Sequence, residues 1–354
     1  MTEIPAHAVV QRIAVITGLF NNLLLIYLVL RKSASKIGNY KYLMIYIAVF
    51  EVIYAIIDGL TVPEIYSKDS TNLMIMRADR AFLPVQFLSF SSVIFCDMFG
   101  MSMAIFAVHF FYRYLVLSRK QWVRKRDSQI ICAIFLFSLV AGIIWSFVAW
   151  YTMKPFVEAD EYLKEHFLPP RHLNLDQVVY IGFYYYPKDL LGNEYVHWKS
   201  VIGMIIQCLF ISASFFFIFY FGFKCYSQTK FLVQQSSQSS SFENLQSQLF
   251  YALVVQTMIP VFLMHLPSSV VYSAALFNSS TEMYGSVLSV SICFYPALDP
   301  LPNFFIIKSY RNAILDFFKF FLHKIKFCRS SKVSTVTSTN VQVSNITRLS
   351  TVQS

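Results

Sequence analysis

The sequence predicts an all-α membrane protein: a bundle of seven transmembrane helices, with an amphipathic helix on the cytoplasmic membrane surface after the seventh. Three observations predict it. Seven long apolar stretches recur along the chain, charged residues make up only 14% of it, and its basic residues gather in alternate connecting segments. Soluble domains carry about a quarter charged residues. With 56% of 354 residues hydrophobic and a mean hydropathy of +0.53, the chain has too little polar surface to wrap a core of its own size. The surplus must meet lipid.

A spanning helix takes about 20 mostly apolar residues, and seven stretches qualify: about 9–30, 42–62, 81–112, 129–152, 200–223, 247–271 and 284–307. Helix is the required conformation, because lipid offers no partner to a free backbone group. The second span is interrupted by Glu51 and Asp58. The third contains Asp97 and is long enough to tilt or to extend beyond the bilayer, and the seventh contains Asp299. The fourth and fifth hold no charge, and the sixth lies in a charge-free stretch, 244–281. Residues 1–307 therefore form one membrane domain.

Loop charge sets its direction. Arg31, Lys32, Lys36 and Lys41 follow span one, and six basic residues from Arg113 to Arg126 follow span three. Lys224 and Lys230 follow span five, and eight more follow span seven, so 20 of the 29 basic residues share one side. The positive-inside rule then predicts an outside N-terminus and a cytoplasmic C-terminus. This segregation accounts for the net charge of +10, which in a soluble protein would suggest nucleic acid. The first residues, Met1–Pro5, lack the basic flank of a cleavable signal, so the first span reads as a retained signal anchor.

The long connection between spans four and five, about 152–198, mixes seven carboxylates with Tyr180, Phe183, Tyr184, Tyr185 and Tyr186. Two readings stay open: a lid whose aromatics shape ligand entry, or an aromatic belt at the membrane interface. The six cysteines lie at 96, 132, 208, 225, 293 and 328, none in a segment placed outside, so no extracellular disulfide is expected.

Ionisable groups inside spans are costly and point to function or to paired burial. Glu51 and Asp58, seven residues apart, fall on nearly one helix face. Together with Asp97, Met101 and His265 they are candidates to line a ligand cavity, and the alternative is buried packing partners. Pro260 and Pro267 each remove a backbone donor from span six, bending it either as a lever or as part of a static bundle. Residues 308–328 read as the amphipathic helix, with Ile314, Phe317, Phe318, Phe321 and Ile325 opposed by Lys319, Lys324 and Lys326. Cys328 at its end is either a palmitoylation candidate or a free thiol. The Ser/Thr-rich stretch 329–354 reads as a disordered tail. Asn278 opens a glycosylation sequon on the outer side, whereas that at Asn345 falls in the tail and is expected to stay bare. Phosphate loops, H-E-x-x-H and nucleophile elbows are missing from the sequence. No lysine lies in span seven, so neither an enzyme nor a cofactor is predicted.

Four blocks carry a family likeness: Gly38–Ile45 (GNYKYLMI) opening span two, His109–Tyr114 (HFFYRY) closing span three, Gln248–Pro260 (QLFYALVVQTMIP) in span six, and Pro296–Leu301 (PALDPL) with Tyr310-Arg311 at the end of span seven. In order and in these spans, they resemble the nematode seven-transmembrane chemoreceptors of the Str class and the Srj-like relatives, a GPCR-like fold. The resemblance implies detection of an odorant or pheromone at the cilium of a sensory neuron, coupled to a heterotrimeric G protein; arrestin-like and trafficking partners are separate expectations, the tail being open to phosphorylation. It sets the segment His109, Tyr112, Arg113, Tyr114 where rhodopsin-like receptors have their acidic-Arg-Tyr motif. Arg113 becomes the candidate to meet the G protein, and Asp299-Pro300 stands near the rhodopsin-like Asn-Pro position. The alternative class is a ligand-gated channel or transporter, which the orientation and the lack of an internal repeat disfavour.

Overall fold

The computed structural model describes residues 6–34, 37–118, 121–189, 191–235, 241–320 and 324. Cys328, Asn345, the tail 329–354, and Phe321 and Ile325 of the amphipathic stretch lie outside the described residues. In chain order, α1 (Ala6–Lys32), α2 (Tyr40–Thr61) and α3 (Val85–Leu117) are long. The short α4 (Gln121–Lys125) leads into α5 (Asp127–Thr152), α6 (Val157–His166) lies in the next connection, and α7 (Trp198–Gln235) follows. The sixth span is α8 (Ser241–Pro260), a π turn at Val261–His265, and α9 (Leu266–Leu276). The seventh is α10 (Glu282–Cys293), α11 (Tyr295–Leu298) and α12 (Leu301–Ile306), which bends through 96° into α13 (Lys308–Phe320). Among the described residues, six spans are individually long and apolar enough to cross a membrane, and there are seven when the bent pair is counted as one.

Local chemistry sets the breaks. The third helix starts at Val85, not at the expected residue 81, because Pro84 has no N–H to donate to the carbonyl of residue 80 and so cannot sit in the interior of a helix that begins there. Pro260 and Pro267 flank the π turn, the kind of local widening that often accompanies a proline in a helix. In span seven, Pro300 lacks the N–H that would take the Pro296 carbonyl in a regular helix. Asn22 of α1 donates to that oxygen instead at 2.9 Å, and Asn21 donates to the Ala297 carbonyl at 2.7 Å.

The most enclosed span is α3. It meets α5 through a reciprocal fit: a Cβ on Gly100 would come within 2.1 Å of the Trp145 ring, and one on Gly142 within 2.7 Å of the Asp97 carboxylate. Small residues let membrane helices approach this closely, where van der Waals packing is the main attraction.

Three strands add a small sheet to the expected helical bundle. β1 (Glu64–Lys68) and β2 (Thr71–Arg77) form a hairpin after α2, and β3 (Val178–Tyr184) adds to β2, giving an antiparallel sheet of order β1-β2-β3. Tyr66 pairs with Leu73 and Ile75 with Tyr180. A two-residue turn, Asp69-Ser70, closes the hairpin, with Asp69 at φ 53°. Asp69 and Ser280 exchange backbone hydrogen bonds, tying the hairpin tip to the connection after α9. These three connections define one end of the bundle, the sheet end. At the opposite, basic end, Asn39 bonds Asp127 and Ser33 bonds Tyr310.

Candidate functional site

The sheet lies over the bundle with aromatic residues on both faces. On one face, Tyr66, Tyr180 and Tyr184 pack with Leu163 and Phe167 into a small core between the sheet and α6. On the other, Phe183 and Tyr185 are fully buried in the main bundle core, where Phe183 meets Tyr272 edge-on at 6.0 Å. Of the two readings of this connection, the geometry is that of a cap. Tyr180 and Tyr184 are held neutral. Burial, then the carboxylates of Glu194 and Asp69, push Tyr184 up to about 12. Burial, then a hydrogen bond to Asp160, raises Tyr180. Burial, and secondarily the Lys199 charge, push the His197 imidazole at the head of α7 below its ordinary value.

Beneath the cap lies a cavity of about 50 Å³. Phe95, Cys96 and Phe99 of α3, Met153, Ile181, and Leu288 and Ile292 of α10 supply its apolar wall, while Asn72, Ser268 and Tyr272 supply the polar groups. None of its lining residues is charged. Glu51, Asp58, Asp97, Met101 and His265 do not line it. Asp58 instead accepts from Gln11 Nε2 at 2.8 Å, and His265 pairs through Nε2 with Ser102 at 3.1 Å beneath Phe99. Asp97 and Met101 pack against Gly142.

Deeper in the bundle, Glu51 lies beside Asp299, Asn22 and Tyr295, close enough to interact but short of full hydrogen-bond geometry. Gln256 Nε2 donates to Asp299, and Asn303 donates to Gln256 at 3.2 Å. This polar core joins α1, α2, the sixth span and the broken seventh, where Pro300 follows Asp299. Each member sits on an element whose helix is interrupted or whose partner is.

At the basic end, Arg113 is fully buried. Its Nη1 donates to Gln246 Oε1 and its Nη2 to the Gln246 carbonyl, both at 2.7 Å, and its guanidinium lies over the Tyr40 ring at 5.1 Å. Tyr112 donates to Asp127 at 2.7 Å, and Asn39 donates to the same carboxylate at 2.8 Å, linking α2, α3 and α5. His109 contacts Tyr40 edge-on, and Tyr114 packs on Phe221. Charge and hydrogen-bonding capacity are thus tied up between neighbouring spans at the basic end.

A family match covers residues 7–315, under the description "Serpentine type 7TM GPCR chemoreceptor Str". The chain belongs to that family. This Str chemoreceptor is 32% identical to the G-protein coupled receptor str-217 of Caenorhabditis elegans, over 87% of the chain and 88% of the relative. It is 29% identical to a serpentine receptor class r-10 of Caenorhabditis briggsae, over 84% and 86% respectively. Squid rhodopsin superposes with a TM-score of 0.57 at 14% identity, covering 91% of this chain and 84% of that one, which establishes the shared fold alone. The Str receptor is accordingly a multi-span membrane protein of a receptor family.

Sequence reasoning missed Gln246, Asn39 and Asp127 at the basic end, and Asn72, Ser268 and Tyr272 at the cavity. Two signals were present. Asp127 is the single carboxylate in the connection 113–128, and Gln246 shares helical spacing with the buried Leu249, Phe250 and Leu253.

Proposed function

We propose that this Str receptor is a chemosensory receptor that binds a small molecule from outside the cell and activates a heterotrimeric G protein. The observation that carries the reading is the Arg113–Gln246 latch. A buried arginine at the family's Tyr-Arg-Tyr segment is capped by the sixth span, so the surface it would offer a G protein is closed until that span moves. The π turn between Pro260 and Pro267 is the hinge for that movement.

The sheet end faces outward in this reading, at the plasma membrane of a sensory cilium, and the basic end faces the cytosol. The ligand enters beneath the cap. Because the cavity there is small and uncharged, the ligand is a neutral molecule of few non-hydrogen atoms, with a polar group for Asn72 or Ser268. A ligand acts by binding the open and latched packings unequally. Asn278, exposed at a left-handed turn after α9, is open to glycosylation in this orientation.

The test is a ligand panel on cells expressing the receptor with a G-protein readout. Arg113→Ala is expected to reach the surface and stay silent, while Asn72→Leu responds to no agonist. Wild-type signalling from Arg113→Ala would refute the assignment.

A further inference from the structure

Between α3, α5 and α7, in the half of the bundle next to the basic end, lies a lipid-facing groove of about 480 Å³. Phe111 and Leu115 of α3, Ala133 and Phe137 of α5, and Phe217 and Phe221 of α7 wall it, and Trp122 of α4 closes its mouth. It runs from Ala107 to Leu115, eight residues at ~1.5 Å each, or about 12 Å along α3. That is deep enough to hold a length of acyl chain lying along the helices.

Its mouth is basic. Arg126 precedes the lining residue Ile130 by one turn, and Lys125 follows Trp122 by three residues. Lys224 lies one turn beyond Phe221 on the same face of α7. All three are exposed, and no ion pair engages any of them among the described residues. The nearby carboxylate, Asp127, is already taken by Tyr112 and Asn39.

We propose that this groove is a binding site for an anionic phospholipid of the adjoining leaflet, with one acyl chain between α3, α5 and α7 and its headgroup phosphate among Lys125, Arg126 and Lys224. Charge complementarity selects this occupant over a zwitterionic or uncharged lipid, since basic side chains at the membrane surface favour anionic headgroups. The occupant bridges three spans and touches the turn of α3 that carries Arg113 on its opposite face, so it bears on the latch from behind.

The experiment uses the full chain in nanodiscs of phosphatidylcholine containing either phosphatidylglycerol or phosphatidylcholine brominated on its acyl chains. Trp122 quenching is taken as the difference from Trp122→Phe. At equal mole fraction, brominated phosphatidylglycerol is expected to quench Trp122 several-fold more than brominated phosphatidylcholine. Lys125→Gln, Arg126→Gln and Lys224→Gln should each reduce that preference by up to about fivefold. Ala133→Phe, a substitution on a lipid-exposed face, should fill the groove and abolish it. Equal quenching by the two lipids in the wild type would mark ordinary annular lipid and overturn the proposal. So would a preference that survives Ala133→Phe. Neither result depends on which end of the bundle faces the cytosol.

Discussion

Asn22 on α1 donates to the Pro296 carbonyl in span seven at 2.9 Å, and so repairs a defect that Pro300 creates four residues further along the chain. In the membrane interior no water can take over that carbonyl. Removing the amide should therefore cost about 1–3 kcal/mol, the penalty of an unsatisfied buried polar group. Asn22→Ala is expected to lower the melting temperature of the purified receptor. Asn21→Ala, at a less buried position, should lower it less. Equal losses would mean that helix packing rather than carbonyl capture is at stake.

A second relationship tests the α3–α5 fit. Gly100→Ala places a methyl group within 2.1 Å of where Trp145 now lies, so the helices must separate or the indole must turn. Overpacking of this kind costs about 1–3 kcal/mol. Trp145→Leu in the same chain should recover part of the loss, because it vacates the space the methyl group needs. A double-mutant cycle on thermal stability reads the coupling directly, and strictly additive losses would rule out the contact as its source.

How much of this could be read beforehand depends on the physics of each part. The spans were legible because lipid punishes every charge and every unpaired backbone group, so that Ser128–Met153 and the stretch 244–281 announce themselves by composition. The sheet was not. Val178–Tyr184 is a β-branched and aromatic run, and Asp69-Ser70 is turn chemistry, but strand pairing across a hundred residues leaves no local trace. Nor did charge locate the cavity. Glu51, Asp58 and Asp97 were conspicuous because burying them is costly, and the structure uses them between helices. The cavity is lined by Asn72, Ser268 and Tyr272, which look ordinary in sequence.

The cap carries a pH dependence of definite sign. His197 accepts or donates at Nδ1 to Ser200 Oγ at 2.8 Å and stacks on Phe156 at 4.3 Å. Because burial and then Lys199 lower its folded-state value, the neutral imidazole is the form that folding favours. Its contribution is present above the unfolded value of about 6.5 and is lost as pH falls below it. Thermal stability of the wild type should therefore drop between neutral and mildly acid pH, and His197→Gln should flatten that slope. Protection of the β3 amides from hydrogen exchange is the local measurement. An unchanged slope in His197→Gln would assign the acid sensitivity elsewhere.

The latch gives the sharpest functional expectation, because it can be tightened as well as broken. Gln246 offers Arg113 a neutral side-chain oxygen and a backbone carbonyl. Gln246→Glu keeps the shape and supplies a carboxylate, turning a guanidinium bond to a neutral acceptor into an ion pair. A second charge at this buried contact adds direct ionic attraction to a bond that is already charge-assisted, which shifts the balance toward the latched packing. Gln246→Ala removes the side-chain acceptor and moves the balance the other way. In cells with a G-protein readout, Gln246→Glu should lower basal signalling and move agonist dose–response curves to higher concentration. Gln246→Ala should raise basal signalling without added ligand. Because the two variants change one residue at one buried contact, a general folding defect would push both in the same direction. Opposite displacements are the signature of a latch, and parallel ones would show that Gln246 only packs.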